Sequence, residues 1–184
     1  MIEVVYETHS LTLDNERGLA TGWLPSKLSP HGRELARELG ERRRDDGIEA
    51  VFTSDLHRAV ETVEIAFAGS EIPIHQDARL RECDYGALNG APVADVEAIR
   101  ADCIEHPFPG GESYTDVVSR TRDFLDDLLR KQDGRRVLVV SHGANRLALD
   151  HLLGGKPLAR LVEEQFDWRP GWEYKLDERP ATIL

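Results

Sequence analysis

Arg136-Val137-Leu138-Val139-Val140-Ser141-His142-Gly143 is the stretch on which the reading of the fold turns. A short β-branched apolar run bounded by polar residues reads as a strand. Arg136 to Val140 is the clearest such run in the chain, and it leads directly into a helix expected from Ala144 to about Leu153. His142 therefore stands at a strand-to-helix junction.

The amino terminus repeats the arrangement. Ile2-Glu3-Val4-Val5-Tyr6 reads as a buried strand that delivers Glu7-Thr8-His9-Ser10 at its carboxyl end. A polar, glycine-containing loop is expected from Leu11 to Leu28. Ser29-Pro30 then looks like an N-cap with proline in the first helical turn, opening a helix that ends near Asp46-Gly47.

Ile48 to Thr53 reads as the next strand, with Ser54 or Asp55 expected to cap a helix from Leu56 to Phe67. Ile72-Pro73-Ile74 is a short extended piece. It is followed by an irregular stretch closed by Gly86 and Gly90 and a weaker helix around Val93 to Asp102. A loop at Pro107 to Gly111 precedes Glu112 to Lys131, whose Val117, Val118, Phe124, Leu125, Leu128 and Leu129 have helical spacing. Aromatic alternation through Trp168, Trp172 and Tyr174 suits a last strand within Phe166 to Leu176.

Strands alternating with helices predict an α/β fold: a three-layer α/β/α sandwich around a mostly parallel sheet. The 184 residues, 40% of them hydrophobic, suffice for one domain spanning 1–184.

Composition narrows the partners. A formal charge of -11 has the wrong sign for gripping nucleic acid or an anionic membrane, so an anionic substrate has to be caught by a local cluster. No apolar run approaches the ~20 residues needed to cross a bilayer. With no secretory leader at MIEVVYETHS, a cytoplasmic protein is expected. Cys83 and Cys103 lack CxxC spacing and read as buried or idle thiols. The histidines and carboxylates lack a compact ligand motif, so neither a metal nor another cofactor is expected.

In doubly wound sheets, ligands bind outside the carboxyl ends of strands. His9, the turn from Ser54 to Arg58, and His142 all fall there. Phosphoryl transfer needs an in-line nucleophile, donors for the peripheral oxygens and an acid for the leaving group. Histidine, arginine and glutamate supply those parts, with Arg58 able to reach back from a helix start as a bidentate phosphate ligand.

Several motifs, in order across nearly the whole chain, carry a resemblance. Thr8-His9-Ser10 is followed by Thr12, Asn15 and Thr21-Gly22-Trp23. Ser54-Asp55-Leu56-His57-Arg58-Ala59-Val60-Glu61-Thr62 is the most specific segment. Leu80-Arg81-Glu82 precedes Asp84-Tyr85-Gly86, Pro109-Gly110-Gly111-Glu112-Ser113 and Val140-Ser141-His142-Gly143. Together they resemble the histidine phosphatase, or phosphoglycerate mutase-like, superfamily.

The resemblance implies that His9 attacks phosphorus and becomes phosphohistidine. It implies that Glu82 protonates the leaving oxygen and then activates water, and that Arg58 and His142 hold the phosphoryl oxygens. Asn15 and Thr21 would stand at the rim, and Thr8, Ser10 and Gly143 would border the phosphate. For a carboxylic acid in this role, desolvation or a neighbouring negative charge must preserve its proton, and a bound phosphate monoester brings such a charge.

The family's Arg-His-Gly triplet is here Thr8-His9-Ser10. Loss of a preorganised donor of that kind typically costs about 100- to 1,000-fold in rate. Arg146 and Arg17, then Arg81, are the candidates to replace the charge. Glu7 either repels a phosphate dianion or turns away to pair with an arginine, and the Ser10 hydroxyl is a candidate new donor.

The leading expectation is a phosphomonoester hydrolase acting on a small phosphorylated metabolite, with inorganic phosphate as the other ligand; a homodimer is compatible with this reading. A mutase-like phosphotransferase and a degenerate, non-catalytic phosphoester-binding module are the alternatives.

Overall fold

The computed structural model describes residues 1–180. The apolar run at the amino terminus forms Ile2–Thr8 (β1), followed by a one-turn helix Leu13–Glu16 (α1), a two-residue strand Leu19–Ala20 (β2) and Pro30–Arg43 (α2). Ala50–Thr53 (β3), His57–Ala66 (α3) and Ile74–Gln76 (β4) come next. Ala91–Pro92 (β5) pairs with β2 and leads into Val93–Ile99 (α4) and Tyr114–Lys131 (α5). Arg136–Ser141 (β6), Gly143–Leu152 (α6), Leu158–Glu163 (α7) and Trp172–Leu176 (β7) complete the described chain.

Five strands form the central sheet in the order β4-β3-β6-β1-β7, parallel throughout except for β7, which is antiparallel to β1. The period-two alternation of strand side chains separates two apolar layers. Val5, Val51, Leu138 and Val140 pack with Leu39 of α2 and with Val63 and Ala66 of α3. Val4, Tyr6, Ala50, Val137 and Val139 face the other way, toward Phe124 and Leu125 of α5 and Ala148 and Leu149 of α6. The three-layer α/β/α sandwich expected from the sequence is the observed architecture.

This topology positions the site. Beyond β1 the chain passes to the α2 face, whereas beyond the adjacent β6 it passes to the α6 face. Strands whose connections diverge in this way leave a crevice at their carboxyl ends. The register places Thr8 opposite Ser141, and His9 N donates to the Ser141 carbonyl at 2.8 Å, so His9 and His142 emerge side by side in that crevice.

Several local expectations are corrected. The segment from Leu11 to Leu28 is not loop throughout: Thr12 and Asn15 form a capping box that starts α1. A capping box satisfies two backbone donors reciprocally, enough to organise one turn without an apolar stripe. Neither Ser54 nor Asp55 caps α3; the N-cap is Leu56, which makes no side-chain cap bond. Ser54 instead bonds His142, and Asp55 pairs with Arg81. Helix α5 starts at Tyr114 rather than Glu112, because Ser113 and Asp116 close a capping box there. The short helix α7 carries no side-chain cap and was not anticipated.

Candidate active site

His9 follows β1 directly. Its Nδ1 lies 2.7 Å from the carbonyl of Ser10, which assigns the ring proton to Nδ1 and leaves the lone pair on Nε2. Arg58 Nε donates toward that Nε2 at 3.3 Å. Burial, reinforced by the Arg58 guanidinium, pushes the His9 ring from its usual range down to about 3. His9 is consequently a neutral imidazole with an available lone pair near neutral pH, the state that a nucleophile requires.

Arg58 is only 3% exposed. It occupies the first turn of α3, as the sequence expectation required, and its other guanidinium nitrogens donate to the carbonyls of Gly22 at 2.8 Å and Leu24 at 3.5 Å. Those two carbonyls hold its plane beside His9. Gly22 is suited to this turn by a φ of 55°, and a Cβ there would stand 1.7 Å from Asn89 Oδ1.

His142 is fully buried, with its ring centroid 5.0 Å from that of His9. Its Nε2 hydrogen-bonds Ser54 Oγ at 2.6 Å, while Nδ1 is buried without a partner among the described residues. Burial, then the positive field of Arg58, keep this ring neutral as well.

Glu82 meets the start of α6. Its Oε1 accepts from the backbone N–H groups of Cys83 at 2.8 Å and Ala144 at 3.1 Å. Oε2 accepts no hydrogen bond among the described residues and faces Gly143, 3.7 Å from where a Cβ would stand. The Glu82 carbonyl is clamped by Trp23 Nε1 at 2.7 Å and Arg120 at 2.9 Å. Arg120 also donates to both carboxylate oxygens of Glu112, one of which accepts the Asp84 N–H as well. The Pro109 to Ser113 motif thus acts on Glu82 indirectly: a Cβ at Gly111 would stand 2.1 Å from the Asp84 carbonyl, so glycine lets the two loops close together.

These groups surround a cavity of about 230 Å³ lined by His9, Asn15, Thr21, Arg58, Glu82, Gly143 and Arg146. Thr21 Oγ1 donates to Asp14, and Asn15 Oδ1 serves the capping box, so both rim residues also organise their loop. His142 lies behind the lining, against His9.

The remaining candidates divide. Arg17 is exposed as the C-cap of α1 and lines neither this cavity nor its neighbour. Arg81 is committed to Asp55 through two hydrogen bonds and stacks on Trp23 at 4.7 Å. Arg146 alone among the three lines the cavity. Its Nη1 reaches Asp150 at 2.7 Å, yet Asp150 also accepts from Tyr174 at 2.9 Å and Lys156 at 3.3 Å, and Arg146 Nε has no partner among the described residues.

Thr8 and Ser10 line a second, adjacent cavity together with Glu7, His9 and Leu11, and of these five only His9 also lines the cavity beside Arg58. The Ser10 hydroxyl donates to the Gly32 carbonyl and is already used. Glu7 is buried and paired with Arg42 at 2.7 Å and Arg43 at 2.6 Å, so its charge is matched.

Residues that the sequence reading missed include Ser54 as the partner of His142, and Trp23 and Arg120 as the clamps on Glu82. The sequence presents Ser54 as a helix-cap candidate, and nothing local distinguishes that use from the bond to His142. Arg120 lies on the polar side of an amphipathic helix, where solvent exposure is the ordinary expectation. Cys83 and Cys103 are free and buried, and burial pushes the Cys83 thiol far up, consistent with an inert side chain. Among the described residues no group of three or more His, Cys, Asp or Glu side chains is arranged to hold a metal, and no helix is long and apolar enough to cross a membrane.

Comparison with known proteins gives this geometry a family. A 2,3-bisphosphoglycerate-dependent phosphoglycerate mutase of Methylobacterium radiotolerans is 33% identical, over 88% of this chain and 84% of the relative. The solved structure of Bacillus stearothermophilus YhfR superimposes with a TM-score of 0.85 at 28% identity, covering 98% of this chain and 94% of that one. A mycobacterial glucosyl-3-phosphoglycerate phosphatase gives a TM-score of 0.76 at 29% identity, over 87% and 85% of the two chains. The model of the histidine phosphatase superfamily (branch 1) matches residues 8–167, and the chain belongs to that superfamily.

Proposed function

We propose that this protein is a phosphomonoester hydrolase that works through a phosphohistidine at His9. The observation that carries the reading is the His9 ring itself: neutral, with its proton held on Nδ1 by a backbone carbonyl and its Nε2 lone pair beside a buried arginine. Attack of Nε2 on phosphorus breaks the ester P–O bond, and the departing oxygen leaves as an alcohol with a proton from Glu82. Water then attacks the phosphohistidine, returning a proton to Glu82 and releasing inorganic phosphate and free His9. Arg58 shifts its Nε donation from His9 to the phosphoryl oxygens as the lone pair is used. His142 backs His9 from behind, its ring centroid 5.0 Å away.

Arg146 supplies the positive charge that Thr8 does not. It is the sequence-predicted replacement that lines the cavity, and its Nε has no partner among the described residues. Phosphate release from a panel of small phosphomonoesters by the wild-type protein, lost in His9→Ala, tests the reading. Absence of turnover across the panel would leave a phosphoester-binding module as the better description.

The 33% identity to phosphoglycerate mutases favours a second reading, transfer of the phosphoryl group to another substrate hydroxyl. The two differ in product: hydrolysis liberates phosphate stoichiometrically with substrate loss, whereas transfer returns a phosphorylated isomer.

A further inference from the structure

Between α2 and the segment that precedes β7 lies a second cavity of about 570 Å³ that the phosphoryl chemistry leaves unused. Thr8 lines it from the end of β1, Leu35 and Leu39 from α2, and Phe166 and Trp168 from the segment before β7. Phe166 and Trp168 are 52% and 56% exposed. Two large aromatic side chains left half open beside an active site are more than packing requires.

The cavity beside Arg58, at about 230 Å³, is smaller than the roughly 300–1,000 Å³ usual for a small-molecule site. The second cavity falls within the usual range and is mostly apolar. Of its two acidic residues, Glu7 is neutralised by Arg42 and Arg43, and the other is Glu82 on the side shared with the first cavity. Its polar lining, Thr8, His9, Ser10, Asn15 and Glu82, gathers on the side nearest the first cavity's residues, while Leu35, Leu39, Phe166 and Trp168 supply the apolar wall.

His9, Asn15, Glu82, Gly143 and Phe166 line both cavities. An ester with phosphorus at His9 and its leaving oxygen at Glu82 therefore has its organic portion at the entrance to the second cavity. We infer that this second cavity is a leaving-group subsite and that it takes the aryl or compact branched alkyl group of a phosphomonoester. The inference rests on the hydrolase reading for its chemistry, but the subsite can be measured by binding alone.

The probes are 1-naphthylmethylphosphonate and methylphosphonate, which share a phosphoryl-like group and differ in the apolar portion. Titration of the full chain, followed by calorimetry, is expected to show the naphthyl compound bound at least about ten-fold more tightly, a difference of about 1.4 kcal/mol. The affinity ratio should fall toward one in Trp168→Ala and in Leu35→Gln, and also in Thr8→Arg, which fills the cavity rather than opening it. Circular dichroism identifies any variant that fails to fold, and the other two still decide the matter. Equal affinities in the wild type, or a ratio unmoved by all three substitutions, would overturn the subsite. Parallel labelling of His9 with a radioactive phosphoester separates the two ideas: naphthyl selectivity without labelling supports the subsite and removes the hydrolase reading, whereas labelling without selectivity does the reverse.

Discussion

Acidification should destabilise this protein through His9 in a calculable way. An unfolded histidine titrates near 6.5, whereas burial and Arg58 bring the folded His9 down to about 3. Between those values the unfolded chain binds a proton that the folded chain refuses, so stability falls as the pH drops through this window and is fully present above it. At about pH 5 the difference amounts to ~1.5 units, or ~2 kcal/mol lost relative to neutral pH, from His9 alone. The limit reached near the folded value is about 5 kcal/mol.

His142 shifts in the same direction and adds to the slope. Because carboxylates and other histidines contribute too, the decisive quantity is a difference between proteins. Urea unfolding of the wild type and of His9→Gln at about pH 7.5 and about pH 5 gives four free energies whose double difference isolates His9. The wild type should lose ~2 kcal/mol more than the variant. A double difference near zero would refute the claim that His9 is held neutral by the fold.

Other perturbations follow from the same geometry. Arg58→Ala should lower kcat about 100- to 1,000-fold, and Arg58→Lys should restore little of it because a single ammonium cannot reproduce the held fork; steady-state kinetics on a small phosphoester decides both. Glu82→Gln should slow substrates with poor alkoxide leaving groups about 100-fold or more while sparing p-nitrophenyl phosphate in the first step, as burst kinetics would show, since only the poor leaving group needs the proton. Ser54→Ala leaves His142 Nε2 unpaired in a buried position and should cost about 1–3 kcal/mol of stability by denaturant titration. Gly22→Ala, which places a Cβ against Asn89 and strains a φ of 55°, should displace the carbonyl that holds Arg58 and raise KM as well as lower thermal stability.

The parts of the fold that were legible in the sequence are those where one local pattern has one structural outcome. Val137 to Val140 and Ile2 to Tyr6 are runs that pack on both faces, and both became central strands ending at a histidine. Arg58 was legible because a residue in the first turn of a helix after a strand points back to the sheet's carboxyl edge. What escaped depends on contacts between distant segments. The same Ser54 hydroxyl serves as a cap or as a partner for His142 according to whether β6 lies beside β3, a pairing that residues 54 to 56 do not encode. The fate of Glu7 was left open because its arginine partners, 35 and 36 positions away, become neighbours only when α2 packs on the sheet. Arg17 and Arg146 were indistinguishable as candidates by composition; packing of α6 beside the crevice placed one at the cavity and left the other in solvent.

The central claim, that His9 carries the phosphoryl group in a covalent intermediate, is tested most directly by trapping that intermediate. Wild-type protein mixed with a radioactive phosphomonoester, quenched within its first turnovers under alkaline conditions and digested, should yield one alkali-stable, acid-labile labelled peptide containing His9. The label should be absent in His9→Ala and should persist longer in Glu82→Gln. Turnover that proceeds with no labelled peptide, or label found at another residue, would contradict the account.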